Sequence, residues 1–389
     1  MDRKGTIIYI GGFEMPDKNA AAHRVLNNAK IFHELGYHVV FCGVDHDITE
    51  NAKSITKIGS FDNIPAAYPK SNKEWVKQLI DFSHIEKTFN QYSDVKYAIA
   101  YNMHAIPLAK LLHYCKNRNI KVIADATEWY ENKFSLNPVK LIKCIDTFIV
   151  MRYLQKKVDA MIAISTYLEK YYSKHVKSIV VVPPLVDLTE SIWHASDIEK
   201  EDCVEFVYSG SPGTGKDKDK LGEIIEAFGA LDETCKYLFT IIGLTHDQFV
   251  KIFPECQKTL LRIKDHICFK GRVSHQESIK ALYKADYCIF IRNRSRKNMA
   301  GFPTKFVECV TCGINIITND FSDIAEYFPK DGNSCLIANS SSAYIQEVFK
   351  NVIKESNDLK KTEHKFGTNF DYNNYIDEFK FFLENSVIQ

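Results

Sequence analysis

Short runs of β-branched and aromatic residues alternate along this chain with stretches whose apolar positions recur every three or four residues. Residues 6–10, Thr-Ile-Ile-Tyr-Ile, form the first run and predict a strand. Val25, Leu26, Ala29, Phe32 and Leu35 then mark one face of a helix over residues 20–35. His38–Cys42 predicts a second strand, and more follow at 97–101, 121–125, 160–164 and 178–182. Pro183 and Pro184 close this series, because proline cannot continue a central strand. A charged stretch without a clear period, residues 187–202, separates it from a second series. There the expected strands are 205–209, 237–243, 266–270, 287–291 and 314–318, with helices at 221–231, 276–284 and 304–312. Tyr375, Ile376, Phe379 and Phe382 repeat at helical spacing near the end and need a surface, for which the first half is the expected partner.

Strands that alternate with helices argue for βαβ units and parallel sheets. The fold class expected is therefore α/β, as two Rossmann-like, doubly wound parallel-sheet domains facing a cleft. The length of 389 residues, at about 150 per domain, allows two to three units. Ligands in such sheets bind outside the carboxyl ends of the strands, so chemistry belongs in those turns.

Composition narrows the function classes. Lys and Arg number 50 against 49 Asp and Glu, without the basic surplus a nucleic-acid binder uses against phosphates. Eleven cysteines, an odd number scattered mostly in apolar runs, read as small buried hydrophobes rather than a disulfide framework. Cys309 and Cys312 lack the second pair that a zinc or redox site needs, and read as two small residues on a helix. The opening Met-Asp-Arg-Lys-Gly leads straight into the first strand and does not resemble a signal peptide. No apolar run approaches the roughly 20 residues of a membrane-spanning helix, so a cytoplasmic location is the expectation.

Three turns carry candidate chemistry. Gly11 and Gly12 follow the first strand, where backbone amides and a helix N-terminus attract an anion, although such a turn is as often only structural. Gly210-Ser-Pro-Gly-Thr-Gly215-Lys216-Asp217 approaches the phosphate-loop pattern but has Asp where Ser or Thr would hold Mg²⁺. Lys216, Lys218 and Lys220 of this turn can bind a diphosphate without that loop, or form a solvated run of charge. The third turn is Gly301-Phe-Pro-Thr-Lys305-Phe-Val-Glu308. Thr304 is expected to cap a helix that ends at Gly313, leaving amides for a diphosphate and Glu308 for ribose hydroxyls.

With these residues the sequence resembles the retaining family-4 glycosyltransferases of the GT-B fold. The likeness runs from Gly11-Gly12 through Ala124-Asp125-Ala-Thr-Glu128, Tyr208-Ser-Gly210 with Lys218-Asp219, Phe269-Lys-Gly271-Arg272-Val and Ala285-Asp286 to Gly301–Glu308 and Cys312-Gly313-Ile-Asn-Ile-Ile. The resemblance implies an acceptor-binding domain at 1–185, a linker at 186–202 and a nucleotide-sugar-binding domain at 203–365. It implies a closing segment at 366–389 that packs back on the first domain. It implies hexosyl transfer with retention from a UDP- or GDP-linked sugar to a glycan, protein-linked or lipid-linked acceptor, typically in bacterial surface polysaccharide or glycoconjugate synthesis. The donor is a substrate; no cofactor and no metal is expected.

On this resemblance Lys218, Glu308 and His104 are the catalytic candidates. The donor site would comprise Gly11, Gly12, Gly210, Ser211, Lys216, Lys218, Gly271, Arg272 and Arg292 with the run Gly301, Phe302, Pro303, Thr304, Lys305 and Glu308. Glu14, Arg24, Asp125 and Glu128 are the acceptor-side candidates. The chain departs from the family pattern at Ala300, where a first glutamate is usual, and at Thr127, where a histidine is usual. Arg292 and Arg294 are the candidates for a phosphate-side charge missing at Ser211 or Pro212.

A stretch from 133 to 157 mixes Leu141, Ile142, Ile145, Phe148 and Ile149 with Lys140, Lys143, Arg152, Lys156 and Lys157. Such a basic amphipathic face suits the surface of an anionic membrane at its inner side, or equally a core helix with a charged exterior. Two other classes stay open: a Mg²⁺-dependent nucleotide-hydrolysing enzyme using Gly210–Lys216, and a glycosyltransferase-like scaffold without turnover.

Overall fold

The computed structural model describes residues 3–131, 136–194, 202–210, 219–330, 333–358 and 367–387. The chain forms two compact units. The first comprises Met1–Asp187, Met299–Phe302 and Asp371–Gln389; the second comprises Leu188–Asn298 and Pro303–Phe370.

The first unit is built on strands β1 (Thr6–Gly11), β2 (His38–Cys42), β3 (Val44–Asp45), β4 (Thr56–Ile58), β5 (Phe61–Asn63), β6 (Ala66–Ala67), β7 (Val95–Tyr101), β8 (Lys121–Ala126), β9 (Ala160–Ala163) and β10 (Ser178–Val181). Eight of them form a sheet in the order β10-β9-β8-β7-β1-β2-β5-β4, parallel except where β4 meets β5. Ile7, Ile8, Tyr9 and Ile10 are all buried, which is why β1 reads as a continuous apolar run and not an alternating one. Asn19 caps the following helix, Ala20–Glu34, by accepting from the Ala22 amide at 2.8 Å. That helix buries Val25, Ala29 and Phe32.

Tyr375 and the closing helix after it, Ile376–Val387, with Phe379, Phe382 and Leu383, join the same core, where Phe379 is edge-on to Phe32 at 5.2 Å between ring centres. Chain order reverses between β1 and β7, so the switch point of this sheet lies at Gly11 and Tyr101. Gly11 has φ of +152°, and a Cβ there would stand 1.8 Å from the Tyr101 carbonyl oxygen. Only glycine fits.

The second unit has β11 (Val204–Ser209), β12 (Tyr237–Ile242), β13 (Ile267–Gly271), β14 (Tyr287–Ile289), β15 (Asn315–Asn319) and β16 (Cys335–Ile337). They form one parallel sheet in the order β13-β12-β11-β14-β15-β16, with its switch point between β11 and β14. Strand β14 ends two residues earlier than the apolar run suggests. Phe290 and Ile291 stay buried, but the Ile291 amide turns to the Asp219 carbonyl at 3.5 Å. Phe228 stacks on Phe239 and Phe349 at the centre of this core, with Phe206 edge-on to it.

The short strands between Val44 and Ala67, the edge strand β16 and the helix Ser342–Asp358 do not follow from the sequence reading. The first two are only two or three residues long and show no full period. The unit boundary falls at Asp187, and Met299–Phe302 group with the first unit, where Ser165 Oγ donates to the Ala300 carbonyl at 2.7 Å.

Candidate functional site

At the switch point of the second sheet lies a buried carboxylate held by three side chains. Asp219 Oδ2 accepts from Lys305 Nζ at 2.7 Å and from the Tyr208 hydroxyl at 2.9 Å, while Oδ1 accepts from Arg292 Nε at 2.5 Å. Each partner arrives from a different element. Tyr208 is the penultimate residue of β11, Arg292 follows β14, and Lys305 lies in the first turn of the helix Thr304–Cys312. Asp219 and Lys220 both take left-handed backbone, with φ of 63° and 48°, to enter the helix Leu221–Gly229. Asn319 fixes the Arg292 backbone from both sides, accepting its amide and donating to its carbonyl at 2.8 Å each.

Burial alone would raise the Asp219 carboxyl, but Lys305 and Arg292 outweigh it and hold the group well below the usual carboxylate range. Burial, and then Asp219, push the Tyr208 phenol above its ordinary value, so it stays a neutral donor. Two cations thus face one carboxylate, a local surplus of positive charge at the place where open α/β sheets bind ligands. Lys305 Nζ also lies 4.1 Å above the Tyr208 ring. A Cβ on Gly210, whose φ is +142°, would come within 3.0 Å of that ammonium.

The helix Thr304–Cys312 departs from expectation at its start. Pro303, not Thr304, occupies the capping position, and no side chain caps the helix, because Thr304 is already its first residue. The Phe306 amide donates to the Pro303 carbonyl at 3.0 Å, while among the described residues no side chain claims the first-turn amides of Thr304 and Lys305. Glu308 lies one turn on, partly buried, with one oxygen 3.2 Å from His275 Nε2. Gly313 closes the helix at φ 69°, as its sequence position predicts. Gly271 ends β13 with φ of 65°, and Arg272 beside it is exposed. Gly301 and Phe302 belong to the first unit. Ser211, Lys216 and Lys218 lie outside the described residues, as does most of the Gly210–Lys216 turn.

In the first unit a cavity of about 810 Å³ opens at the carboxyl ends of β1, β2 and β7. Gly11, Gly12 and His104 line it, with Glu74 and Lys77 on its wall. His104 Nδ1 is 2.8 Å from Asp146 Oδ2, and Asp146 Oδ1 accepts from the Ala105 amide at 2.7 Å. The carboxylate therefore fixes the ring at one nitrogen and caps the helix Ala105–Lys116 as well.

Arg24 and Asp125 are core residues rather than acceptor-side groups. Arg24 Nε lies 2.9 Å from Asp125 Oδ1, and Arg24 Nη1 donates to the Val182 carbonyl at 2.8 Å. The Tyr9 hydroxyl donates to Asp125 Oδ2. Both charges are buried and closed on one another, so neither can meet an acceptor. Glu14 is similarly engaged, with Oε1 accepting from the His46 amide and from Lys18 Nζ at 3.0 Å each. Glu128 is exposed at the end of β8. Among the described residues the carboxylates spaced closely enough for a cation are Glu14, Asp45 and Asp47, and the Lys18 ammonium already lies within 3.3 Å of all three. Cys309 and Cys312 are buried free thiols on one helix.

The sequence reading takes Asp219 only as the neighbour of Lys218 in the family likeness, with no role of its own, and leaves Asp146 out. Asp219 hides in a run of alternating Lys and Asp, although it is the last acid before an apolar helix. Asp146 is the one acid in an otherwise basic helical stretch, and that isolation is the signal that could have found it.

Residues 206–370, which contain this whole arrangement of Asp219, Arg292, Lys305 and Glu308, match the model of the glycosyl transferases group 1. No curated protein matches the chain. Among solved structures, sucrose-phosphate synthase from Thermosynechococcus elongatus aligns with a TM-score of 0.68 at 12% identity over 98% of both chains. Anabaena HepE in complex with UDP aligns at 0.62 and 10%, over 98% of this chain and 100% of the other. The lipopolysaccharide outer core galactosyltransferase WaaB aligns at 0.57 and 14%, over 98% and 99%. At such identities the likeness concerns the fold, which is the α/β GT-B class with two Rossmann-like parallel sheets.

Proposed function

We propose that the chain is a retaining glycosyltransferase that moves a hexosyl group from a UDP- or GDP-linked sugar to a glycan, protein-linked or lipid-linked acceptor. The observation that carries this reading is the cationic cluster at the second switch point. Lys305 and Arg292 converge there beside uncapped helix amides, inside the segment that matches the glycosyl transferases group 1. HepE, similar in fold, is described in complex with UDP.

Breaking a glycosyl–phosphate bond leaves a diphosphate with growing negative charge. Amides and cations fixed in advance toward that charge lower the barrier, and removing one such donor typically costs about 10²–10³ in rate. Lys305 and Arg292 supply the cations here, with Asp219 holding both in place. Glu308 is one turn further along the helix and accepts from ribose hydroxyls of the nucleotide. In a retaining reaction the departing phosphate helps to deprotonate the acceptor, and His104 is the first unit's own candidate for contact with that acceptor. Cation duty thus falls to side chains and amides of the chain itself. Assembly of a bacterial surface polysaccharide or glycoconjugate, on the cytoplasmic side, is the setting that fits such a reaction.

The test is calorimetry and thermal shift with UDP, GDP, ADP and their sugar conjugates, with and without Mg²⁺. Binding of UDP or GDP without metal is expected, and NMR of the product should show the anomeric configuration kept. Mg²⁺-dependent ATP binding would overturn the reading in favour of phosphate-loop chemistry at Gly210. A second reading, a scaffold that binds without turnover, is favoured by one feature: Ala300, fully buried, offers no carboxylate where the resembled family has one. Binding of the sugar nucleotide with no hydrolysis or transfer would select it.

A further inference from the structure

Sixteen large apolar side chains stand exposed among the described residues, and seven of them fall within residues 136–153. The helix Pro138–Ile149 at the centre of this stretch has no buried residue. Ile142, Ile145 and Ile149 recur at spacings of three and four and share one face, 36–51% exposed. Lys140 and Lys143, both exposed, lie on the other flank. From 136 to 157 there are five basic side chains and one acid, and that acid, Asp146, is engaged with His104. Beyond Ile149 the apolar surface continues into a groove of about 590 Å³ lined by Phe82, Ile106, Ala109 and Leu154, with Lys110, Arg118 and one acid, Glu86, in its wall.

We propose that this face of the first unit docks on an anionic lipid bilayer. An amphipathic helix lying in the interface sinks its apolar side chains to the acyl boundary and leaves its lysines among the headgroups. The stripe of isoleucines and the flanking lysines of Pro138–Ile149 meet both demands at once. A second copy of the chain is a poorer occupant, since a two-fold contact would set this basic stretch against itself.

Docking also places the candidate chemistry. Asp146 belongs to the docking helix and bonds the ring of His104, which lines the cavity of the first unit. A bilayer bound to the helix therefore lies next to the mouth where an acceptor headgroup would enter. This last step, that the acceptor is carried by a membrane lipid, rests on the proposed glycosyl transfer; the docking does not.

Flotation of the full chain with vesicles tests the proposal. Vesicles of phosphatidylcholine with phosphatidylglycerol should carry the protein, phosphatidylcholine alone should not, and salt should weaken the association. Replacing both Ile145 and Ile149 by Glu should lower partitioning at least about tenfold, and Lys143→Ala about fivefold at low salt. These variants should keep the circular dichroism and the UDP or GDP binding of the parent, which separates a lost surface from a lost fold. The proposal is overturned if the parent does not float with anionic vesicles, or if the Ile variants float as well as the parent. It is also overturned if light scattering reveals a dimer that the Ile variants split. Absence of nucleotide binding with flotation intact would instead sink glycosyl transfer and leave the docking standing.

Discussion

The two units each bury a carboxylate against an arginine, and the surroundings make them opposites. In the first, Arg24 and Asp125 balance charge for charge, with backbone carbonyls of Val182 and Pro183 taking a further guanidinium nitrogen. Tyr9 and Asn28 extend the network, and burial followed by Asp125 raises the Tyr9 phenol. In the second, Asp219 meets two cations rather than one, at the end of the sheet where the strand order reverses. A closed, neutral pair holds elements together. A carboxylate with a cation in excess leaves positive charge at a switch point, where such sheets bind ligands.

Breaking the network of the first unit should have the largest effect. Asp125→Ala would strand the Arg24 guanidinium in the core, and removing one partner of a buried pair typically costs about 3–5 kcal/mol. Urea unfolding should show a loss of that size, while calorimetry on the fraction still folded should give unchanged nucleotide affinity. A large drop in affinity at full stability would mean that Asp125 serves a ligand after all.

Lys305→Met should show the converse pattern. With only Arg292 left to answer Asp219, the local excess of positive charge disappears, and donor turnover should fall about 10²–10³-fold. The methionine keeps much of the buried stem packed, so the melting temperature should move less than in Asp125→Ala. Equal losses of stability and turnover would erase the distinction between the two sites. Glu308→Ala should have a smaller effect on binding, a loss of about tenfold in donor affinity for one charge-assisted hydrogen bond, with transfer nearly abolished. Unchanged affinity would place the ribose elsewhere.

How much of this contrast was legible in the sequence depends on length and company. Strands such as His38–Cys42 and the helix Thr304–Cys312 announce themselves because four or more apolar positions share one period. Arg24 is a candidate on the family resemblance alone, and its partner sits 101 residues away in the core. Pairing across that distance leaves no local mark. Asp219 enters the likeness only beside Lys218 and gains no role there, because it stands among lysines, where an acid looks like ordinary solvated charge. Its importance comes from two successive left-handed residues that turn it inward, and a non-glycine pair gives no warning of that geometry. Lys305 carried a fainter signal, a lysine within the buried face of a helix that is otherwise apolar there.

The smallest effect at neutral pH is also the most diagnostic, because it concerns acid alone. Asp219 has its folded pKa depressed: burial opposes ionisation, but Lys305 and Arg292 outweigh it. A depressed carboxylate adds stability that is fully present above its unfolded value of about 3.9 and lost as pH falls from there toward the folded value. Asp219→Asn removes that titration and leaves the two cations without a counter-charge. The stability difference between parent and variant should therefore stay constant from neutrality to about pH 4 and shrink only below it. Unfolding curves of both proteins at a series of acid pH values measure this difference directly. A difference that already shrinks between neutrality and pH 5 would mean that the carboxylate is not held low, and that Lys305 and Arg292 face solvent instead of Asp219.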